Sequence, residues 1–100
     1  MAIITIKRDP QTDKVAFDPN PVKLGTGDFV VWSNHDPKAA HWPTQKGQAA
    51  NWWMDDSLPS FQVGQPAATS PAVNLAGPAS ITYVCSLHPN DPDEQGTISF

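Results

Sequence analysis

The sequence predicts an all-β fold, a Greek-key β-sandwich occupying residues 1–100 as a single domain, and three observations carry that expectation. About seven short β-prone runs are separated by turn signals roughly every ten residues. Eleven prolines stand against six glycines, and proline rejects helix interiors and central strands, so the chain is rich in loops and edges. The longest stretch without strand character, from Asp36 to about Pro59, shows no helical period either.

Residues 3–7 (Ile-Ile-Thr-Ile-Lys) form the first expected strand. Val15–Phe17 and Val22–Leu24 bracket Asp18-Pro19-Asn20-Pro21, a turn in which two prolines fix φ and remove donors. The turn Gly25-Thr26-Gly27-Asp28 leads into Phe29–Asn34, the most β-prone run of the chain, with Trp32 at a core position. The stretch from Asp36 to Pro59 reads as a long functional connection, with a short helical turn expected near Ala49 to Met54. Ser60–Val63 is expected as a strand, Gln65–Pro71 as a linker-like loop, and Val73–Leu75 as a short strand before the Ala76-Gly77-Pro78 turn. Ala79–Cys85 and Gly96–Phe100 supply the last two strands.

Composition narrows the function. Six basic and ten acidic residues give a formal charge of −4, without the basic face a nucleic-acid partner requires. No apolar run has the length that spans a bilayer. The opening Met-Ala-Ile-Ile-Thr-Ile-Lys alternates like a strand and lacks the apolar core and cleavage site of a signal peptide. With a single cysteine, an internal disulfide is excluded.

The chemistry concentrates in Tyr83-Val84-Cys85-Ser86-Leu87-His88-Pro89 at a strand end, set against His41 in the long upstream connection. One thiolate and two imidazoles form a mixed soft and borderline donor set, which suits copper in an electron-transfer role when a fourth, axial donor is weak. Cys-x-x-His places two donors on one short loop, and His41 must come from a second loop at the same end of the sandwich.

Three segments resemble the small blue copper proteins, the plastocyanin, azurin and amicyanin family of cupredoxins. They are Phe17–Leu24 with Gly27–Asn34, Asn34 followed seven residues later by His41, and Tyr83–Pro89 followed by Gly96-Thr97-Ile98. The resemblance implies one copper ion held by His41, Cys85 and His88, outer-sphere transfer of single electrons, no enzymatic activity, and an extracytoplasmic, periplasmic setting. It also implies redox-protein partners for a monomer, with His88 as the electron port. The family places methionine two residues before the loop glycine as the axial ligand; here that position holds Glu94, followed by Gln95 and Gly96. Glu94 is the first choice on register, Gln95 the alternative, and an empty axial position the third.

Other readings compete. Two histidines, a cysteine and a glutamate also suit tetrahedral zinc. A thiol nucleophile needs a base and a substrate context that the sequence does not supply. A copper-delivery module, or a metal-free interaction domain on the same fold, are the alternatives from other functional classes. His35 reads as a solvent-exposed or supporting residue rather than a ligand. Trp42, Trp52 and Trp53 are expected either to shield the site or to form a docking patch. Asp55, Asp56, Asp91, Asp93 and Glu94 read as solvated loop carboxylates, or as an acidic rim that steers a basic partner.

Overall fold

The computed structural model describes residues 2–25, 27–47, 53–54, 56–74, 80–88, 91 and 94–100. Nine strands are present among them: β1 (Ala2–Arg8), β2 (Val15–Asp18), β3 (Val22–Lys23), β4 (Phe29–Asn34), β5 (Pro43–Gln45), β6 (Ala68–Thr69), β7 (Val73–Asn74), β8 (Ile81–Cys85) and β9 (Gln95–Ser99). They form two mixed sheets. One runs β2-β1-β4-β6, with β7 also pairing β4, and the other runs β3-β9-β8-β5. β1 lies parallel to β4 and β3 parallel to β9, while the remaining pairs are antiparallel.

Period-two alternation explains the two layers. Ile4 and Ile6 of β1, Val15 and Phe17 of β2, and Val30 and Trp32 of β4 are buried, as are Tyr83 and Ile98 from the second sheet. Trp32 is the centre of this core, as the sequence predicts. It stacks on Trp53 with ring centroids 4.8 Å apart and meets Tyr83 edge-on at 5.4 Å. Such aromatic pairs add to the ordinary gain from burying apolar area. Tyr83 sits directly opposite Gly96 in the β8–β9 register, and a Cβ at Gly96 would collide with the Tyr83 ring. That glycine is therefore fixed by packing.

The Pro19/Pro21 turn is pinned to the second sheet by Asn20, whose Nδ2 donates to the Gln95 carbonyl at 3.2 Å and whose Oδ1 accepts from Thr97 N–H at 3.0 Å. The tight turn before β4 holds as expected, with Gly27 at φ 78° and Asp28 Oδ2 accepting from Gly25 N–H.

Three expectations need correction. Ser60–Val63 is not a strand: Phe61 N–H donates to the Asp36 carbonyl, Gln62 and Gln65 close a turn, and Val63 is 95% exposed. An alternating apolar pattern without a neighbouring edge cannot build a ladder. The long connection and the linker-like loop each contain a strand, β5 and β6, created by pairing with β8 and β4. The expected helical turn from Ala49 to Met54 lies mostly outside the described residues.

Candidate metal centre

The site lies where β4 and β8 end. Asn34, the last residue of β4, is fully buried and works as a staple. Its Nδ2 lies 3.0–3.2 Å from the carbonyls of Ala39, Leu58 and Pro59, and its Oδ1 accepts from Asp36 N–H at 2.9 Å. These bonds draw the start of the long connection against residues 58–59. There His41 forms an isolated bridge with Leu58 through reciprocal backbone bonds of 3.0 and 2.7 Å. His41 is thereby held by its backbone before its ring is considered.

Cys85 ends β8, and three backbone bonds gather the described residues beyond it. His88 N–H donates to the Cys85 carbonyl, Asp91 N–H to His88, and Glu94 N–H to Asp91, each at 3.1 Å. The loop closes when Cys85 N–H donates to the Glu94 carbonyl at 3.2 Å. These bonds draw Cys85, His88 and Glu94 together beyond the strand end, where their donor atoms meet. Across the sheet, Trp42 N–H donates to Cys85 Sγ at 3.4 Å, and Ser86 N–H donates to the Trp42 carbonyl at 2.8 Å. β5 thus fastens His41's neighbour onto the thiol.

The result is a compact donor set. One ligand atom from each of His41, Cys85, His88 and Glu94 lies within 4.8 Å of every other. Glu94 Oε1 is 2.8 Å from His41 Nδ1 and 3.1 Å from His88 Nδ1, and Cys85 Sγ is 3.6 Å from His88 Nδ1. Donors sharing one ion through bonds near 2.0–2.3 Å at tetrahedral angles sit roughly 3.3–3.6 Å apart, so donor atoms 2.8 Å to at most 4.8 Å apart can share a single ion once the shortest pairs spread and the longest close. His41, Cys85 and Glu94 are buried, whereas the His88 side chain is 43% exposed. Burial pushes the Cys85 thiol up from its ordinary value, so the site favours a thiolate only once a cation compensates it.

The strongest sign that the site fits a metal is an orphaned atom. His41 Nε2 lies 2.6 Å from Asp36 Oδ2, and an ionised carboxylate can only accept, so Nε2 carries the hydrogen. With the hydrogen on Nε2, Nδ1 is the ring nitrogen left to act as a donor atom. It has no hydrogen-bond partner, although it is buried and faces the Glu94 carboxylate. A buried nitrogen with no hydrogen-bond partner beside a carboxylate oxygen is a place where a bound metal cation would satisfy both groups.

No protein-family model and no curated protein sequence matches the chain. Solved structures do. An amicyanin from Paracoccus versutus (Thiobacillus versutus) superposes with a TM-score of 0.55 at 17% identity, covering 97% of this chain and 79% of that one. A pseudoazurin from Sinorhizobium meliloti gives a TM-score of 0.52 at 16% identity, with 99% and 73% coverage.

The chain has the cupredoxin fold.

On this cupredoxin scaffold, the residues singled out in the sequence fall as follows. His41, Cys85, His88 and Glu94 come together. Gln95 opens β9, where it shares its side of the strand with Thr97 and Ser99, opposite buried Gly96 and Ile98. His35 is exposed, stacked on Phe61 at 5.7 Å and bonded through Nε2 to Ser33 Oγ at 3.0 Å. Trp53 is buried in the core against Trp32, and so does not contribute to a docking patch. Trp42 is half-buried, with Nε1 donating to the Met54 carbonyl at 3.2 Å; Trp52 lies outside the described residues. The acidic rim also needs correction. Glu94 is buried at the metal centre, Asp91 is half-buried and Asp56 exposed, while Asp55 and Asp93 lie outside the described residues.

Two participants are missing from the sequence reading. Asp36 is fully buried beside His41, and Arg8 from the end of β1 grips it with two bonds of 2.8 Å. Burial alone would push the Asp36 carboxyl up. Hydrogen bonds from Arg8, His41 and Lys38 N–H, together with the Arg8 charge, outweigh it and hold the group well below the usual carboxylate range. An acidic residue next to His35 gives only a faint sequence signal, because its cationic partner lies 28 residues away.

Proposed function

We propose that this protein is a mononuclear copper protein that carries single electrons between redox proteins. His41 Nδ1, Cys85 Sγ and His88 Nδ1 would hold the ion, with Glu94 as the fourth donor. The observation that carries the reading is the convergence of four donors around the unpartnered His41 Nδ1. Copper bound by such a donor set exchanges one electron between Cu(II) and Cu(I).

The chain's own residues supply the rest. Asn34 and the His41–Leu58 bridge hold one side of the site, and the backbone bonds beyond Cys85 hold the other, which would keep the donors in place as a bound ion changes oxidation state. The Trp42 N–H bond to Cys85 Sγ stabilises thiolate charge. Burial of His41, Cys85 and Glu94 keeps water away, while the exposed edge of His88 offers the short path to a partner. A carboxylate oxygen in place of a thioether favours Cu(II), so the reduction potential is lower than in methionine-ligated cupredoxins. By family resemblance the protein is a monomer, acts outside the cytoplasm and is not an enzyme.

One observation favours a second reading: the buried Glu94 touches both imidazoles, a set that also suits zinc. Adding Cu(II) to the metal-free protein separates the two. The copper reading predicts saturation at one equivalent with an intense visible thiolate-to-copper band that is lost in Cys85→Ser. A site that binds zinc tightly and develops no such band would overturn it.

A further inference from the structure

The Asp36–Arg8 pair has no part in the donor set, yet among the described residues Asp36 is a charged group held by many hydrogen bonds. Asp36 is fully buried and accepts from five donors: Arg8 Nε and Nη2 at 2.8 Å each, His41 Nε2 at 2.6 Å, and Lys38 N–H at 2.9 Å on its side chain, and Phe61 N–H at 2.8 Å on its carbonyl. Arg8 is anchored in turn, donating from Nη1 to the Asp13 carbonyl at 2.9 Å, and the Asp13 side chain pairs with Lys38 Nζ at 2.8 Å. Burying an ion pair seldom raises stability over a well-packed apolar pair. A buried carboxylate aimed at the back of a metal-binding imidazole has a further use.

We infer that Asp36, oriented by Arg8, is a positioning residue that fixes His41 with its hydrogen on Nε2 and its lone pair on Nδ1, and makes that ring a stronger donor that favours Cu(II). The inference rests on the proposed copper reading for its effect on potential, but not for the tautomer it assigns. The physics is direct. A hydrogen bond from Nε2–H to an ionised carboxylate draws the proton toward oxygen and leaves negative charge on the ring, which raises the basicity of Nδ1. A more electron-rich donor stabilises the higher charge of Cu(II) more than that of Cu(I). The bidentate Arg8 fork restricts the carboxylate to one orientation, and its positive charge partly offsets the Asp36 charge. The two residues therefore act on the potential with opposite signs.

The test has a metal-free arm and a copper arm. In the metal-free, isotope-labelled wild-type protein, imidazole nitrogen spectra should show the His41 hydrogen on Nε2, exchanging slowly with solvent; a hydrogen on Nδ1 overturns the inference. In the copper-loaded protein, Asp36→Asn should raise the affinity for Cu(I) relative to Cu(II) about tenfold, a shift of about 59 mV for a one-electron couple. Arg8→Gln should move the ratio the other way by a smaller factor, and the visible band should persist in both. A role limited to folding would lower stability without this reversal of sign, so two shifts in the same direction, or none beyond twofold, overturn the inference. Should Asp36→Asn fail to fold, the double variant Arg8→Gln/Asp36→Asn removes both charges while keeping a neutral pair, and an increase in the Cu(I) preference of that variant is still required. A wild-type protein that develops no thiolate–copper band sinks the copper reading and leaves the tautomer result to stand by itself.

Discussion

The two histidines of the site are held in opposite ways. His41 is fully buried, fixed by a two-bond backbone bridge to Leu58, and backed by the Asp36–Arg8 pair. His88 stands on the 85–94 loop with its side chain 43% exposed, held by single turn bonds and by the Glu94 contact at 3.1 Å. On the proposed function, the contrast separates two requirements of an electron carrier. One side must not move, so that little rearrangement accompanies a change of oxidation state. The other must come close to the surface, so that a partner can approach. Cys85 joins the two, since its thiol accepts from Trp42 on the His41 side while its backbone opens the loop that carries His88.

The sharpest way to break this comparison is to delete each ring. His88→Gly should leave an opening at the surface, and added imidazole should restore the visible copper band. His41→Gly leaves a gap sealed by the loop, so added imidazole should restore little. Equal rescue of both variants, read by visible absorption, would remove the distinction.

Asn34→Ala sharpens the comparison from the folding side. It removes the two Nδ2 hydrogens shared among the Ala39, Leu58 and Pro59 carbonyls and the acceptor of the Asp36 N–H, which should cost about 3 kcal/mol. For a domain of this size that lowers Tm by roughly 15 °C, measured by thermal unfolding of the metal-free protein. Hydrogen exchange should quicken at His41 and Leu58 more than at His88. Uniform quickening would mean that Asn34 supports the whole fold rather than one side.

The smallest expected effect concerns Glu94. Glu94→Met replaces an oxygen donor with a thioether, and should raise the reduction potential by an amount corresponding to roughly a tenfold gain in relative Cu(I) affinity, about 59 mV. Protein-film voltammetry reads this directly. An unchanged potential and an unchanged visible spectrum would place Glu94 outside the coordination sphere.

Much of this arrangement is legible in the sequence because it depends on local pattern. The alternation of Ile4 and Ile6, the run Phe29–Asn34, and the Cys85-x-x-His88 spacing each carry their meaning within a few residues. What stays hidden depends on distant partners. β5 and β6 are two or three residues long and exist only because β8 and β4 offer them an edge, so no window of sequence marks them. Ser60–Val63 fails for the converse reason, having the pattern but no edge. Asp36 resembles a loop carboxylate until Arg8, at the far end of β1, is brought beside it. Glu94 has two readings in the sequence, a donor by register and a member of an acidic rim, and its burial beside both imidazoles separates them. Even so, its register two residues before Gly96 already marks Glu94 as the first choice for a fourth donor.

Copper-edge X-ray absorption on the stoichiometric complex tests the central claim most directly. Convergence of the buried thiol and two rings on one ion predicts a first shell containing a single sulfur together with two imidazoles, whose outer-ring scattering is evident. A shell of oxygen and nitrogen alone, or of one imidazole only, would contradict it.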